Sequence, residues 1–332
     1  EMHRDALPVW RGQNEQGMGL AAAAFAKAKR RQQIMVATSS IGPGATNMVT
    51  AAGVAMSNRL PVLFIAGDTF TSRLPDPVLQ QVEHFGVPSI TVNDSFRSVS
   101  RYWDRITHPA QVLSSLPQAV ATMLDPADCG PAFIGLPQDV AAEAYDFPVS
   151  FFETKLNEIA RPRPDLGQLA KAVAQIKASK KPVIIAGGGV HYSLAEKELA
   201  DFAESFGIPV VETVAGKSSL VASHVAYAGP LGVTGAEAAN KVVSQADLVL
   251  AVGTRLEDFT TGSWTLFHED AKFVGINAAR FDAVKHQAIP LVSDAREALT
   301  ELTRELSGWQ AESSWTKESR SYRSELQAFV DN

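Results

Sequence analysis

A chain of 332 residues predicts two domains at about 150 residues per domain, and a composition of 45% hydrophobic and 20% charged residues excludes a disordered or collagen-like chain. The net charge of −6 argues against a general nucleic-acid surface, because such a surface needs a positive field. No apolar run reaches the roughly 18 residues of a transmembrane helix, so we expect no membrane partner. The expected partners are small molecules and other proteins.

A single cysteine, Cys129, excludes an internal disulfide and a structural zinc site built from thiolates. This use of cysteine fits a reducing compartment and predicts a cytoplasmic location. The chain starts at Glu1 without a methionine or an apolar leader, which predicts that the sequence is an internal part of a longer protein.

Helical stretches alternate with short apolar strands flanked by glycine and proline, which is typical of parallel βα units. The sequence therefore predicts an α/β fold of two doubly wound parallel sheets. The first half shows, in chain order, a helix at 15–31, a strand at 33–37, a turn at 39–47 that opens a helix at 48–57, a strand at 61–67, a helix at 109–124 and a strand at 132–136. Residues 68–94 are irregular and form a long connection of the kind that often carries function.

Prolines and mixed charges at 151–165 interrupt this alternation, which predicts a linker between a first domain at 1–150 and a second domain at 166–332. The second half continues, in chain order, with a helix at 166–179, a strand at 182–186, a helix at 193–206, a strand at 208–212, a helix at 236–244, strands at 248–252 and 272–276, and a helix at 294–306. We expect this domain to form a doubly wound sheet by itself.

Two segments of the first half combine polar groups with glycines beside a predicted helix. Glu15 stands among amides and glycines directly before an alanine run, so we expect its carboxyl at a helix start with little solvent around it. Gly42, Gly44 and Asn47 form a G-x-G-x-x-N loop between strand and helix, which suits the close approach of a ligand. The alternatives are an ordinary acidic helix start for Glu15 and a plain turn for the loop.

Glycine turns recur in the second half at the predicted carboxyl ends of strands. Gly187, Gly188 and Gly189 follow one strand and Gly253 follows another, where backbone amides at a helix start can hold an anion. Tyr192 stands where a dinucleotide fingerprint needs a third glycine, so a tight turn is an equal alternative. The seven histidines show no metal-ligand spacing, and we expect no metal site within this sequence.

Taken in order, several segments resemble thiamine-diphosphate-dependent enzymes of the acetolactate synthase type. The resemblance rests on EQGMG at 15–19, TSSIGPGATN at 38–47, PVLFIAGD at 61–68, QQ at 80–81, GPAFIGLPQDV at 130–140, KPVIIAGGG at 181–189 and GTRLEDFTTGSW at 253–264. It covers nearly the whole chain. It implies a pyrimidine-binding domain at 1–150, truncated at its start, and a Rossmann-like central domain at 166–332.

The resemblance implies that Glu15 is the catalytic carboxylate, which hydrogen-bonds the aminopyrimidine ring of thiamine diphosphate. In a dry pocket, desolvation raises the pKa of a carboxyl, so that it can share a proton with a weakly basic ring nitrogen. We therefore expect a raised pKa for Glu15.

The resemblance also implies which residues line the cavity beside Glu15. Those expected to contact the cofactor carry small or amide side chains and are Gly42, Gly44, Asn47 and Gln81. Gln80 and His84 are weaker candidates for contacts with the substrate. A lone histidine beside Phe85 is more often a surface or packing residue, and this alternative stays open for His84.

Within the family, the segments at 11–29, 76–86, 100–109, 136–148 and 253–264 most closely resemble hydrolases of inositol catabolism. The implied reaction is hydrolysis of a C–C bond, which opens the ring of a cyclitol dione to 5-deoxyglucuronate during myo-inositol degradation. Two alternatives stay open. One is acetolactate-synthase-like or 2-oxo-acid decarboxylase chemistry on the same cofactor, and the other is a non-catalytic nucleotide-binding module.

Members of this family hold Mg2+ and the diphosphate with a further domain that carries a Gly-Asp-Gly motif. This sequence has only Gly67, Asp68 and Thr69, in its first half, so we expect the Mg2+ site and its domain to lie outside this chain. We expect no FAD in the glycine-rich crevice of the second half. The resemblance further implies a homodimer or homotetramer, and this chain alone is expected to be inactive without the further domain.

Overall fold

The computed structural model describes residues 7–330, and for residues 325–327, 329 and 330 it describes the backbone alone. The chain divides into two compact units, residues 1–160 and 161–332, and the division falls inside the stretch 151–165. Both units are built from helices and parallel strands, which confirms the predicted α/β class. No helix within 7–330 combines the length and the apolar character that crossing a bilayer requires.

The first unit contains one four-stranded parallel sheet. Its strands are β1 (Val36–Ser39), β2 (Leu63–Asp68), β3 (Tyr102–Arg105) and β4 (Ala132–Pro137). Its helices are α1 (Glu15–Ala28), α2 (Pro43–Ser57), α3 (Val112–Leu124) and α4 (Gln138–Ala142), with 3₁₀ helices at Val92–Ser98, Pro109–Gln111 and Val149–Phe152. The strand order is β1-β2-β4-β3, and every neighbouring pair is parallel. Residues 69–91 contain neither helix nor strand, and we refer to them as the 69–91 connection.

Helices α1 and α2 pack closely because their shared face carries small residues. Ala22, Ala26 and Ala51 are almost fully buried, and a Cβ on Gly19 would lie only 2.6 Å from the Cβ of Ala51. Small side chains allow two helix backbones to approach each other more closely than larger ones do. This packing brings the N-terminal ends of the two helices together.

The structure corrects some predicted boundaries in this unit. Helix α2 begins at Pro43 instead of residue 48, because Gly42 adopts a φ of 71° before it and proline suits the first helical position. Strand β1 begins at Val36, three residues later than predicted. Strand β3 was not predicted, since its Tyr-Trp-Asp-Arg sequence lies at the sheet edge and is only partly buried throughout.

The second unit contains one six-stranded parallel sheet. Its strands are β5 (Pro182–Ala186), β6 (Val210–Glu212), β7 (Tyr227–Pro230), β8 (Leu248–Val252), β9 (Lys272–Asn277) and β10 (Ile289–Val292). Its helices are α5 (Leu166–Ala178), α6 (Gly188–Tyr192), α7 (Glu196–Phe206), α8 (Glu237–Ser244), α9 (Asp258–Thr261), α10 (Arg280–Ala283), α11 (Ala295–Glu305) and α12 (Ser313–Val330), with a 3₁₀ helix at Lys285–Gln287. The order β10-β9-β8-β5-β6-β7 reverses direction between β5 and β8, as in a doubly wound sheet.

The sheet of the second unit is covered by apolar side chains on both faces. Ile184 and Leu250 belong to the core on one face, whereas Val183, Val249 and Trp315 belong to the core on the other. Strands that are buried on both faces have continuous aliphatic sequences, which is why β5 and β8 lie where the sequence predicts them. The indole N–H of Trp315 donates to the carbonyl of Pro182 at 2.9 Å and fixes α12 against the start of β5.

Candidate functional site

Glu15 is the first residue of helix α1. The side chain of Asn14 caps this helix by accepting a hydrogen bond from the amide of Gly17 at 2.7 Å. A carboxylate in the first helical turn interacts favourably with the helix dipole, so this position suits a negative charge. The side chain of Glu15 is partly exposed to solvent.

Asn47 of helix α2 lies beside Glu15, although 32 positions separate them in the sequence. The amide Nδ2 of Asn47 donates to Oε2 of Glu15 at 2.9 Å. This bond, followed by one from the backbone amide of Glu15 itself, lowers the pKa of Glu15, while a smaller effect of burial opposes them. The carboxylate form is therefore favoured in this chain.

The expectation of a dry pocket with a raised pKa at Glu15 is wrong for the described chain. Glu15 keeps part of its surface in solvent, so desolvation is weak, and the hydrogen bond from Asn47 stabilises the charged form. The expected position of Glu15 at a helix start is confirmed.

Gly44 leaves room next to the carboxylate. A Cβ at this position would lie 2.7 Å from Oγ of Ser40 and 3.4 Å from Oε1 of Glu15. Gly44 is itself buried, so any side chain there would press against these polar groups. The absence of a Cβ keeps one oxygen of the Glu15 carboxylate accessible from the loop that starts α2.

Gly42 lies against the 69–91 connection. Its φ of 71° favours glycine, and a Cβ there would overlap the carbonyl oxygen of Gln80. Gln80 also adopts a positive φ, of 67°. The structure thus brings Gln80, through its backbone, to the loop that carries Gly42, Gly44 and Asn47.

The side chains of Gln81 and His84 are used within the 69–91 connection. Gln81 donates to Oδ1 of Asp76 at 2.6 Å and accepts from the amide of Val78 at 2.9 Å. His84 is exposed, and its Nδ1 accepts from the amide of Val87 at 2.9 Å. No described contact brings either side chain to Glu15.

Asp139, which belongs to none of the sequence motifs that predict the site, anchors the start of the same connection. Its carboxylate accepts from the hydroxyl of Thr71 at 2.7 Å and from the amides of Thr71 at 3.1 Å and Ser72 at 3.3 Å. Burial alone would raise the pKa of Asp139, but these bonds and one from the amide of Val140 hold it below its usual range. The only sequence signal is its place in the LPQDV segment directly after β4.

The glycine turns of the second unit pack against each other. A Cβ on Gly187 would overlap the carbonyl oxygen of Gly253, and a Cβ on Gly189 would lie 2.5 Å from the Cα of Gly253. Close packing of two turns at the carboxyl ends of β5 and β8 therefore accounts for these glycines. Beside them an open pocket of about 420 Å³ is lined by Arg255, Leu256, Glu257, Lys285 and His286.

No group of three or more His, Cys, Asp or Glu side chains among the described residues is arranged to hold a metal ion. Asp68, the acidic residue of the Gly67-Asp68-Thr69 segment, is fully buried, and one of its carboxylate oxygens accepts from Nε of Arg105 at 2.7 Å. The carboxylate of Glu15 has an accessible space beside it where Gly44 lacks a Cβ.

A segment of each unit matches a known protein family. Residues 2–92 match the thiamine pyrophosphate enzyme N-terminal TPP binding domain, and residues 169–302 match the thiamine pyrophosphate enzyme central domain. The chain belongs to the thiamine pyrophosphate enzyme family. The candidate site around Glu15 lies inside the first of the two matched segments.

Three curated relatives of the chain are named as hydrolases of the same compound. A protein named 3D-(3,5/4)-trihydroxycyclohexane-1,2-dione hydrolase 2, from a strain of Bacillus cereus, is 51% identical over 313 residues. Proteins named 3D-(3,5/4)-trihydroxycyclohexane-1,2-dione hydrolase from a second strain of Bacillus cereus and from Bacillus thuringiensis (strain Al Hakam) are each 50% identical over 313 residues. Each alignment covers 94% of this chain and 49% of the relative, so the chain spans about half the length of the curated relatives it matches.

Proposed function

We propose that the protein carrying this chain is a thiamine-diphosphate-dependent hydrolase that opens the ring of 3D-(3,5/4)-trihydroxycyclohexane-1,2-dione to 5-deoxyglucuronate in myo-inositol degradation. The names of relatives that are 50–51% identical support the substrate. The observation that carries the catalytic assignment is the carboxylate of Glu15, held by Asn47 at the start of α1 inside the segment that matches a TPP binding domain.

The residues around Glu15 fit an aminopyrimidine ring in their chemistry. Glu15 provides a hydrogen-bond acceptor that its lowered pKa keeps ionised near neutral pH. Gly44 leaves a space next to Oε1 that a Cβ would fill, so a flat ring can approach this oxygen. When bound, thiamine diphosphate supplies a nucleophilic carbon and an electron sink for cleavage of a bond next to a carbonyl.

Each residue of the site then has a distinct role in the proposal. Glu15 is the catalytic carboxylate, which binds the cofactor ring and moves a proton at its nitrogen, and Asn47 orients it. Gly42 and Gly44 allow the loop to come close to the ring. The residues of the 69–91 connection that we propose near the cofactor or the substrate are Gln80, Gln81 and His84.

Binding of the cofactor would also change the surroundings of Glu15. A ring hydrogen-bonded to the carboxylate would remove water from it, and desolvation raises the pKa of a carboxyl. A raised pKa of Glu15 is thus proposed for the cofactor complex, whereas in the described chain alone its hydrogen bond from Asn47 lowers this pKa.

The remaining parts of the proposal concern the whole protein. We propose that it uses Mg2+ bound by a further domain, that it works without FAD, that it forms a homodimer or homotetramer, and that it is cytoplasmic. Metal analysis, flavin absorbance, sedimentation and cell fractionation of the complete protein test these four parts one by one.

The central experiment replaces Glu15 by glutamine in the complete protein. We expect turnover of the dione to fall by about 10²-fold or more, since the acceptor of the ring proton is lost. Glu237→Gln is the matched control, because Glu237 is likewise the first residue of a helix and is exposed. Unchanged turnover in E15Q, with the fold intact by circular dichroism, contradicts the assignment.

Product analysis separates the proposed hydrolase from its alternatives. Release of 5-deoxyglucuronate from the dione supports the hydrolase, whereas acetolactate or carbon dioxide formed from pyruvate supports a synthase or decarboxylase. Calorimetry of the chain with ADP, FAD and NAD tests the nucleotide-binding module. The basic groups of Arg255 and Lys285 at the open pocket make this measurement worthwhile.

A further inference from the structure

One guanidinium group lies between the two ends of the 69–91 connection. Arg105, the last residue of β3, donates from Nε to Oδ2 of Asp68 at 2.7 Å. Its terminal nitrogen donates to the hydroxyl of Thr91 at 2.8 Å and to Oδ2 of Asp94 at 2.9 Å. Asp68 is the last residue before the connection and Thr91 is its last residue, so a single side chain binds both ends.

The environment of Arg105 makes these bonds strong. Asp68 is fully buried, and about one-fifth of the side-chain surface of Arg105 and of Asp94 is exposed. Burial opposes the charge on Arg105, but its bonds to the two aspartates outweigh this and raise its pKa. Arginine suits this task because its fork of donors has a fixed geometry, whereas a lysine ammonium is a single point on a flexible stem.

Thr91 is also bonded to the residues that follow it in the chain. Its hydroxyl accepts from the amide of Asn93, while the carboxylate of Asp94 accepts from the amide of Thr91 at 2.9 Å. These reciprocal bonds form a capping box at the start of the 3₁₀ helix Val92–Ser98. Arg105 binds both members of this box, so it joins the helix start to the end of β2.

Between its two fixed ends, the connection reaches the proposed site. Its middle part places the carbonyl of Gln80 against Gly42, and both residues have positive φ angles. A non-glycine residue keeps such a backbone conformation only where its surroundings hold it. Gly42 in turn directly precedes helix α2, whose Asn47 binds Glu15.

We propose that Arg105 is a positioning residue: by binding both ends of the 69–91 connection, it sets the place of Gln80 against Gly42 at the proposed catalytic site. Its importance for catalysis rests on the function proposed for Glu15. The clamp itself is a property of the chain and is tested without any activity.

Hydrogen exchange of the 332-residue chain tests the clamp. The informative amides are those of Val78, Gln81 and Val87, which are bonded only within the connection. In Arg105→Gln we expect their exchange to rise about tenfold relative to the wild type, while the amides of β5 in the second unit keep their rates. In Arg105→Lys we expect exchange rates between those of the wild type and Arg105→Gln, because lysine keeps the charge and loses the forked set of donors.

Arg97→Gln is the matched control. Arg97 donates to the same Asp94, from Nε to Oδ1 at 2.8 Å, and its guanidinium lies 3.5 Å from the centre of the Trp103 ring. Its hydrogen bond and ion pair go to Asp94, and not to Asp68 or Thr91. We expect exchange in the connection to stay within about twofold of the wild type in this variant. Equal effects of R97Q and R105Q overturn the proposal.

A second variant covers the case in which Arg105→Gln fails to fold with the buried Asp68 left unpaired. Thr91→Val removes one hydroxyl and keeps the Asp68–Arg105 pair, and we expect faster exchange at Val87. Thr91→Ser restores the hydroxyl and is expected to restore the wild-type rate. Wild-type exchange in T91V overturns the clamp.

Activity of the complete protein provides an independent measurement. Where the wild type turns over the dione, we expect Arg105→Gln to lower kcat/KM by about tenfold, Arg105→Lys to recover part of it, and Arg97→Gln to retain it. Faster exchange without a loss of kcat/KM removes the positioning role and keeps the clamp. Absence of turnover in the wild type contradicts the proposed function, while the exchange data still decide on the clamp.

Discussion

Glycine follows a parallel strand in both units, but it does different things there. In the second unit, Gly187 and Gly189 lie against Gly253, so that two backbone turns meet without side chains between them. In the first unit, Gly42 meets the backbone of Gln80, while Gly44 leaves space next to a carboxylate. We therefore propose a ligand site at the first of these turns, because the carboxylate of Glu15 faces the space that Gly44 leaves, whereas backbone fills the space at Gly187 and Gly189.

The two units also differ in how fully their apolar side chains are covered. The sheet of the second unit has a buried core on each face. In the first unit, the 69–91 connection exposes large apolar side chains, among them Leu74, Leu79 and Phe85, with 80 to 90% of their surface in solvent. The first unit has a buried core as well, and it also carries exposed apolar side chains on the long connection beside its candidate site.

The largest expected effect comes from Gly189→Ala, which tests whether the glycines of the second unit serve packing. A Cβ there would lie 2.5 Å from the Cα and 3.0 Å from the carbonyl oxygen of Gly253, so the two turns must move apart. We expect the free energy of unfolding of the second unit to fall by about 3 kcal/mol, measured by urea dependence of hydrogen exchange in β5. Gly308→Ala is the control, since a Cβ there meets nothing within 4 Å and costs only the strain of its positive φ. A loss no greater than that of G308A would contradict the packing role.

Gly42→Ala tests the corresponding contact in the first unit. The new Cβ would overlap the carbonyl of Gln80, and the φ of 71° at position 42 is strained for alanine. Because the exposed connection is able to shift, we expect the free energy of unfolding of the first unit to fall by a smaller amount, about 2 kcal/mol. Exchange of amides in β2 measures it. Gly53→Ala is the control, because its Cβ would have 3.9 Å to the nearest atom and a helix interior gains about 0.5–1 kcal/mol from this change. Similar stabilities of G42A and G53A would show that the contact with Gln80 is not tight.

Glu212→Gln sharpens the comparison of carboxyl groups, since burial raises the pKa of Glu212 whereas a hydrogen bond lowers that of Glu15. Glu212 is 3% exposed and accepts from the amides of Leu220 at 2.8 Å and Ser218 at 3.1 Å. A folded-state pKa above the unfolded one means that the folded chain binds the proton more tightly. Stability from this group is present below the unfolded pKa and is lost as pH rises through the folded pKa.

The stability of the wild type relative to E212Q is therefore expected to decrease as pH rises above about 4.3, the ordinary pKa of a glutamate. Urea unfolding at a series of pH values measures the difference. Glu237→Gln removes an exposed carboxyl and shows how much of the pH dependence of stability comes from net charge alone. If the stability of the wild type relative to E212Q increases with pH instead, the pKa of Glu212 is lowered on folding, and burial is not its main determinant.

The smallest effect on stability is expected for Asn47→Ala, which tests the electrostatics of the candidate site. Without the amide donor, the pKa of Glu15 should rise toward its ordinary value, because the main cause of its lowering is removed. A carboxyl-carbon NMR titration of the chain measures this pKa. Thr50→Ala, an exposed change on the same helix, serves as the control. An unchanged pKa in N47A would show that another group holds the charge on Glu15.

Buried aliphatic strands could be predicted from the sequence because burial on both faces leaves a continuous apolar run. β5 and β8 lie at the predicted residues for this reason. The strands that were missed in the second unit contain residues that argue against strands: β7 includes Gly229 and Pro230, and β10 includes Pro290. These strands lie at the sheet edges, where proline is tolerated.

The candidate site was predictable only in its local parts. The helix start at Glu15 follows from its neighbours, but its bond to Asn47 joins two helices that no short-range pattern connects. The role of Arg105 was out of reach, because its strand was not predicted and its partners lie 37 and 14 positions away. Tertiary contacts of this kind decide the pKa of a site, which explains why the expected direction for Glu15 was wrong.

The pairing of β5 with β8 has a consequence for the order in which the protein is assembled. About sixty residues separate these central partners, whereas β1 and β2 are separated by about twenty. The entropy of closing the longer loop must be overcome before the central pair contributes any stability. On a translating ribosome, β5 therefore emerges with its hydrogen-bonding edge toward β8 unpaired until Leu248–Val252 have been synthesised, while β1 and β2 meet much sooner after leaving the exit tunnel.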